Sequence, residues 1–154
     1  MTALEIVALV LGILLFTALL FVVIMIPVSR RAKRLRASME EELGGSARRT
    51  ENVQGLGLES RGKGQVRGNG WLVLTADELV FRMWVPAHET RIPLAAVTSV
   101  GTERTWLGKW VGRRLLRVRW RGADGTEDAM AWNVRDLDAW LAELEATAAG
   151  EELA

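Results

Sequence analysis

The chain contains no cysteine and no tyrosine, and it has a single histidine, His88. Without cysteine there can be no disulfide, no thiolate metal site and no thiol nucleophile. A general base needs a pocket and a partner nucleophile, whereas His88 lies beside Glu89 in a segment that is typical of a turn. We therefore expect no catalytic residue, no cofactor and no metal, and a protein that is not an enzyme.

A second absence is that of charge, because residues 6–28 carry no ionisable side chain. At about 1.5 Å per residue this run extends roughly 34 Å, enough to cross a hydrocarbon core of about 30 Å. Membrane helices tolerate interruptions such as Gly12, Thr17 and Pro27. A soluble helix of this length would need a polar stripe facing water, and none is present. The run predicts one transmembrane helix.

A cluster of basic residues follows the apolar run directly: Arg30, Arg31, Lys33, Arg34 and Arg36. A cleaved signal peptide would carry its positive charge ahead of a shorter apolar stretch, and here the first five residues contain no lysine or arginine. Basic flanks stay on the cytoplasmic side. We predict a single-pass protein of the plasma (inner) membrane with its N-terminus outside and its C-terminal domain cytoplasmic. The five cations are expected to contact lipid head groups, and no nucleic-acid binding is expected.

The composition after the basic cluster changes to acidic and then glycine-rich. The glycines fit neither the dinucleotide pattern nor the P-loop, so we interpret residues 53–59 as a weak first strand and residues 60–69 as a mobile loop. The predicted organisation has four parts. They are an anchor with its basic cluster (residues 1–36), a stalk and linker (37–52), a folded domain (53–148) and a tail (149–154).

From Gly70 onward the pattern is that of short antiparallel strands. The clearest alternation lies in residues 115–121, where apolar residues on one face oppose Arg117, Arg119 and Arg121 on the other. We interpret these arginines as a solvated row paired with Glu127 or other acids on the neighbouring strand. Further strands are predicted at residues 71–75, 79–85, 90–92, 97–103 and 126–132.

An amphipathic helix is predicted over residues 134–148, with Asn133 as its N-cap. Leu137, Trp140, Leu141 and Leu144 fall on one face at helical spacing. The sequence therefore predicts a membrane-anchored, mainly β protein: one N-terminal transmembrane helix and an antiparallel split β-barrel of six or seven strands, capped by a C-terminal helix.

Three short phrases in the β region carry a family resemblance: GWLVLT at residues 70–75, DELVF at residues 77–81, and RIPL at residues 91–94, followed by Val97 and Val100. They resemble a recurring pattern of the pleckstrin-homology-like superfold, in particular the bacterial PH and GRAM-type domains. The resemblance covers about residues 52–147. It implies a split barrel that binds lipids, peptides or proteins, usually without catalysis.

The chain departs from that pattern at one functionally important place. Phosphoinositide-binding members carry a lysine and then a paired basic motif across the first two strands. Lys63 and Arg67 lie in the corresponding region, but Gly68, Asn69 and Gly70 follow where the paired basic residues would stand. The resemblance therefore does not imply inositol phosphate binding. An OB-fold is the alternative small barrel, although it does not usually end in a capping helix.

Residues 104–114 mix aromatic and basic side chains and are predicted to form a loop. Tryptophan beside cations suits a membrane interface, and it equally suits a protein hot spot. The tryptophans could instead fold back over the end of the barrel as core, and both interpretations stay open. The candidate contact residues are Trp106, Leu107, Lys109, Trp110, Arg113 and Arg114.

The sequence as a whole predicts a membrane-tethered PH-like binding module on the cytoplasmic face, contacting a membrane protein partner or the lipid surface. The alternative is an accessory or assembly subunit of a membrane complex that is recognised through its transmembrane helix, with the barrel as a spacer. Such helices often carry a stripe of small residues, and Ala8, Gly12 and Ala18 do not form a strong one.

Overall fold

The computed structural model describes residues 2–150, and burial and side-chain contacts are described as far as residue 147. The last four residues of the predicted tail, 151–154, lie outside the described residues. The elements are two helices, α1 (Ala3–Leu43) and α2 (Leu137–Gly150), and seven strands: β1 (Arg49–Leu58), β2 (Gly68–Leu74), β3 (Glu78–Met83), β4 (His88–Pro93), β5 (Val97–Trp106), β6 (Lys109–Arg121) and β7 (Glu127–Asn133).

Helix α1 is one continuous helix of 41 residues, so the predicted stalk is its last part rather than a separate element. Thr2 and Glu5 form a capping box at its start, which satisfies the first free amide groups. The apolar residues near its N-terminus are exposed, and this part is long and apolar enough to cross a membrane. The helix continues past Pro27 because the residues that follow are mostly strong helix formers, and it ends at Gly44.

The seven strands form one curled antiparallel sheet in the order β4-β3-β2-β1-β7-β6-β5. The predicted fold class, with six or seven strands and a C-terminal helix, is confirmed. Two predicted boundaries were wrong. Residues 49–52 were assigned to the linker but belong to β1, and residues 104–114 are not a loop, because β5 and β6 continue through them as a hairpin.

The main core fills the concave side of the sheet. It includes Val53, Leu72, Leu116 and Trp132 from the strands, and Phe81 meets the ring of Trp132 edge-on at 6.1 Å. Helix α2 closes this core with Trp140 and Leu144, which are fully buried. Alternation along the strands and the apolar stripe of α2 therefore meet in one hydrophobic interior.

The start of α2 differs from the prediction. Asn133 remains paired in β7 opposite Gln54, and Asp136 caps the helix by accepting a hydrogen bond from the amide of Ala139 at 3.1 Å. Glu51 holds the connecting segment. Its carboxylate accepts hydrogen bonds from the amide of Arg135 and from the indole Nε1 of Trp140, both at 2.7 Å.

Candidate membrane-contact site

The end of α1 packs on the outer face of β2 and β3. Arg36, Met39 and Leu43 lie on one face of the helix at helical spacing, and the guanidinium of Arg36 lies over the ring of Trp71 at 5.2 Å. The apolar part of this contact is formed by Met39, Leu43, Val73 and Val80, all buried. The long apolar helix is thus joined to the sheet by side-chain packing as well as by the chain itself.

An ionic network fixes the same contact. The carboxylate of Glu42 accepts hydrogen bonds from Arg82 on β3, at 2.8 Å, and from Arg91 on β4. Glu89 also pairs with both arginines, and Glu78 pairs with Arg91 at 2.8 Å. One carboxylate of α1 therefore bridges two neighbouring strands.

The network makes the helix contact sensitive to acid. The pKa of Glu42 lies below its ordinary value of 4.5, chiefly because of the hydrogen bond from Arg82 and then that from Arg91. Burial acts to raise the pKa of Glu89, but hydrogen bonds from Arg91 and Arg82 outweigh it and the pKa is lowered. Stabilisation by such groups is complete above the ordinary pKa and is lost as the pH falls through the lowered one.

We therefore expect the ionic part of the contact between α1 and strands β3 and β4 to weaken, and the helix to become more mobile against the sheet, as the pH falls well below 4.5. Because the chain has no native cysteine, spin labels at Lys33→Cys and Ala95→Cys can report the distance between α1 and the sheet. The distribution of distances between the two labels should be narrow at neutral pH and broad in acid. Glu42→Gln should broaden it already at neutral pH, and the exposed control Glu41→Gln should not. A distribution that acid leaves unchanged would contradict this role of the network.

Because α1 packs against the sheet, one end of the sheet lies next to the part of α1 at which the apolar run ends. Arg31 and Leu35 line a cleft together with Trp84, Ala87 and His88 from the end of β3 to the start of β4. Arg31 follows the last residue of the apolar run by three positions, about 4.5 Å along the helix axis. The β3–β4 turn is therefore adjacent to the end of the apolar segment.

Two other loops lie at this end. The guanidinium of Arg67 donates to the carbonyl of Leu107 at 3.4 Å, and Gly108 faces the side chain of Lys63. These contacts join the β1–β2 loop to the tip of the β5–β6 hairpin. We call this end the loop pole, which comprises residues 59–67, 84–87 and 106–110.

The loop pole carries exposed apolar and basic side chains together. Val66 is 63% exposed, Val85 is 52% exposed and Trp110 is 69% exposed. Within the described part of the chain, these three are the exposed large hydrophobic residues outside α1. The exposed cations of the same loops include Arg61, Lys63 and Lys109. Three exposed apolar side chains on loops at one end of the sheet make this end the candidate contact surface.

The two tryptophans of the predicted contact segment have different environments. Trp106 is only 6% exposed and packs with Leu56 and Leu115, and its indole Nε1 donates to the carbonyl of Gly57 at 2.8 Å. Trp110 projects into solvent. The structure therefore places one of them in a second core cluster and the other at the surface.

The hairpin that separates the two tryptophans has a two-residue turn at Leu107 and Gly108, with φ angles of 48° and 78°. Positive φ at both turn residues is typical of the tight hairpin turns that match the twist of the strands. Lys109, Arg113 and Arg114 are exposed on β6 and Leu107 is half-buried. The glycine after Leu107 was the one sequence signal that could have predicted this hairpin.

The β1–β2 loop, predicted to be mobile, is held by Gln65. Its amide nitrogen donates to the carbonyls of Leu58 at 2.6 Å and Gly62 at 2.7 Å, and its oxygen accepts from the amide of Leu58 at 2.8 Å. Gly57 precedes the loop with φ +95°, and a Cβ there would lie 2.4 Å from Gln65. Glycine at position 57 therefore permits both the backbone conformation and the close approach of the glutamine.

The other predicted charged groups have partners or remain exposed. Arg30, Arg31, Lys33 and Arg34 are exposed beyond the apolar run, whereas Arg36 pairs with Glu40 at 2.8 Å besides covering Trp71. Pairing with acids on the neighbouring strands is confirmed for Arg117, with Glu103 at 3.2 Å, and for Arg121, with Glu127 at 3.5 Å. Arg119 pairs instead with Glu59, which directly follows β1, at 3.0 Å.

No family model and no curated protein matches this chain. Among solved structures, it is similar to the C-terminal domain of an unknown protein from Leishmania infantum, with a TM-score of 0.51 and 14% identity, over 75% of this chain and 96% of that one. It is also similar to a chain of the 8S snRNP assembly intermediate, with a TM-score of 0.53 and 16% identity, over 68% of this chain and 83% of that one. At such identities the likeness shows the fold alone. A curled antiparallel half-barrel behind a long apolar helix fits a PH-like fold.

Proposed function

We propose that this chain is a membrane-tethered, PH-like binding module that acts without catalysis and contacts the lipid surface of its own membrane through the loop pole. The observation that carries this proposal is the packing of α1 against β2 and β3, which brings the β3–β4 turn beside Arg31 and Leu35. When the domain is packed at this position along α1, its loop pole lies at the level of the lipid head groups.

The chemistry of the loop pole fits this position. Tryptophan is enriched at the depth of the head groups, where Trp110 and the valines of the two loops would meet the boundary of the acyl chains. Each lysine or arginine near an anionic leaflet contributes about 1 kcal/mol of attraction. The loop pole contains four cations, Arg61, Lys63, Arg67 and Lys109, and one acid, Glu59, so this surface is complementary to anionic lipid.

The same charge argument favours the cytoplasmic face of the plasma membrane. Arg30, Arg31, Lys33 and Arg34 lie exposed just beyond the apolar run, and such residues remain on the cytoplasmic side. The cytoplasmic leaflet is also the one with a negative surface potential. The proposed orientation thus has the N-terminus outside and the barrel inside.

The test is the depth of the loop pole in a bilayer. In the full chain reconstituted in nanodiscs containing anionic lipid, fluorophores at Val66→Cys, Val85→Cys and Trp110→Cys should be quenched by lipids that carry a quencher near the head group. A fluorophore at Ala76→Cys, in the β2–β3 turn at the opposite end of β2 from the β1–β2 loop, is the matched control and should not be quenched. Lys63→Glu together with Lys109→Glu should weaken the quenching.

Absence of quenching at all three positions in lipid would contradict the lipid contact. A protein partner would be indicated instead by a different result. The three positions would then not be quenched in lipid alone but would be protected from solvent in native membranes. Leu43→Asp tests the geometry itself, because a charge within the buried contact should release the barrel from α1 and reduce the quenching. The exposed substitution Glu41→Gln should leave it unchanged.

A further inference from the structure

A polar groove of about 340 Å³ lies on the outer face of the sheet, where strands β2, β1, β7 and β6 are neighbours. Its polar lining consists of four carboxamides and two guanidiniums, from Asn52, Gln54, Asn69, Asn133, Arg113 and Arg135. The one apolar residue among the described residues of the lining is Val53, whose side chain is buried in the main core. Successive side chains of a strand point to opposite faces, so Asn52 and Gln54 face outward.

Three of the carboxamides form a row across neighbouring strands. Gln54 on β1 is paired directly with Asn69 on β2 and with Asn133 on β7. Adjacent strands lie about 4.8 Å apart, so the row extends roughly 10 Å. Within the described part of the chain, the side chains of Gln54 and Asn69 form no hydrogen bond. Because a carboxamide carries both donors and an acceptor, each can pair with a peptide group of a ligand.

The charge of the groove is positive. The guanidinium of Arg113 lies 3.5 Å from the Oδ1 of Asn133, and Arg135 follows Asn133 by two positions. Both arginines are exposed, and neither takes part in an ion pair among the described residues. The acid next to the groove is Glu51, and its carboxylate is bonded to the amide of Arg135 and to the indole of Trp140. Two guanidiniums are therefore free to pair with an anionic ligand.

The lining distinguishes between classes of anionic ligand. An acyl chain needs apolar walls, and the carboxamides do not provide them. Single-stranded nucleic acid binds through stacking of its bases on aromatic side chains, and no described residue of the lining is aromatic. An inorganic anion would use the arginines and leave the carboxamide row without a role. A protein segment with carboxylates uses both, because it pairs with the guanidiniums and bonds to the row through its backbone.

The groove lies beside the packed end of α1. Asn52 is paired directly with Trp71, and residues that are directly opposite each other share one face of a sheet. Arg36 of α1 covers the ring of Trp71 at 5.2 Å. A protein segment in the groove would thus lie next to α1. None of the described residues that line the groove belongs to the loop pole, so such a segment and the lipid surface would be bound by different residues.

We propose that this groove binds an extended acidic segment of a partner protein, with carboxylates at Arg113 and Arg135 and the backbone of the segment on the carboxamide row. Hydrogen bonds between a guanidinium and a carboxylate are roughly twice as strong as those between neutral groups. The two arginines therefore select the acidic side chains, and the row selects an extended peptide backbone. The inference goes beyond the lipid contact of the loop pole and does not depend on it.

The test measures the binding of a defined peptide to the full chain in nanodiscs of phosphatidylcholine, which contain no anionic lipid to compete for the cations. A short fluorescent peptide of alternating aspartate and serine should bind, as followed by fluorescence anisotropy. The same peptide with asparagine in place of each aspartate should bind roughly tenfold more weakly, which corresponds to about 1.4 kcal/mol. Equal binding of the two peptides, or no binding of the acidic one, would overturn the proposal.

Substitutions of the arginines locate the bound peptide. Arg113→Gln and Arg135→Gln should each weaken the binding of the acidic peptide roughly tenfold. The matched control is Arg121→Gln, which removes the same charge at the other end of β6 and should leave the binding unchanged. Equal weakening by Arg113→Gln and Arg121→Gln would mean that the net charge alone attracts the peptide, and the groove would then be excluded as its site.

The carboxamide row is tested without any change of charge. Gln54→Ala should weaken the binding of the acidic peptide, and Asn69→Ala, at an exposed position of the same row, repeats the test without altering a half-buried side chain. If neither substitution weakens the binding, the row has no part in it and the proposed site is wrong. A single-stranded oligothymidine that binds more tightly than the peptide and displaces it would assign the groove to nucleic acid instead.

Discussion

Replacing Trp106 by alanine is expected to lower the free energy of unfolding by about 3–5 kcal/mol, the usual cost of removing a buried tryptophan. The indole packs with Leu56 and Leu115 and donates to the carbonyl of Gly57, at the point where the register of β1 and β7 shifts. That carbonyl would lose its partner in the variant, which adds to the cost of the cavity.

Trp110→Ala provides the matched comparison, since it removes the same side chain four residues along the hairpin. Exposed substitutions usually change stability by no more than about 0.5 kcal/mol, and we expect that result here together with weaker attachment of the loop pole to anionic nanodiscs. Chemical unfolding of the full chain in mild detergent, followed by circular dichroism, measures both stabilities. Equal losses for the two variants would mean that the two tryptophans are not divided between core and surface.

Glu51→Ala is expected to lower the free energy of unfolding by about 1–3 kcal/mol, the cost of leaving a buried donor without a partner. The donor is the indole Nε1 of Trp140, which lies in the core with Arg49 stacked on its ring at 5.5 Å. The amide of Arg135 would also lose its acceptor, but it is exposed and can bind water.

A double-mutant cycle separates this hydrogen bond from other effects. Trp140→Phe removes the indole donor and keeps an aromatic ring, so its loss and that of Glu51→Ala should not add, with a coupling of about 0.5–3 kcal/mol. Glu145→Ala, on the exposed face of α2, is the control and should stay within about 0.5 kcal/mol. Strict additivity of Glu51→Ala and Trp140→Phe would show that the hydrogen bond does not hold α2 to β1.

The sequence by itself determined the features that depend on neighbouring residues. The uncharged run over residues 6–28 identified the long apolar helix, because a helix of that composition has no face for water. Period-two alternation located β6 and its paired arginines, and the stripe through Trp140 and Leu144 located α2. Local periodicity was enough in each case because a single element produces the pattern.

Only the tertiary structure decided how these elements meet. Trp106 and Trp110 have the same kind of sequence neighbourhood, and one is buried because it reaches Gly57, a residue 49 positions earlier in the chain. Met39 and Leu43 looked like part of a solvated stalk until β2 and β3 supplied the apolar surface that covers them. The loop pole likewise combines three loops distant in sequence, and no local pattern encodes contacts between such segments.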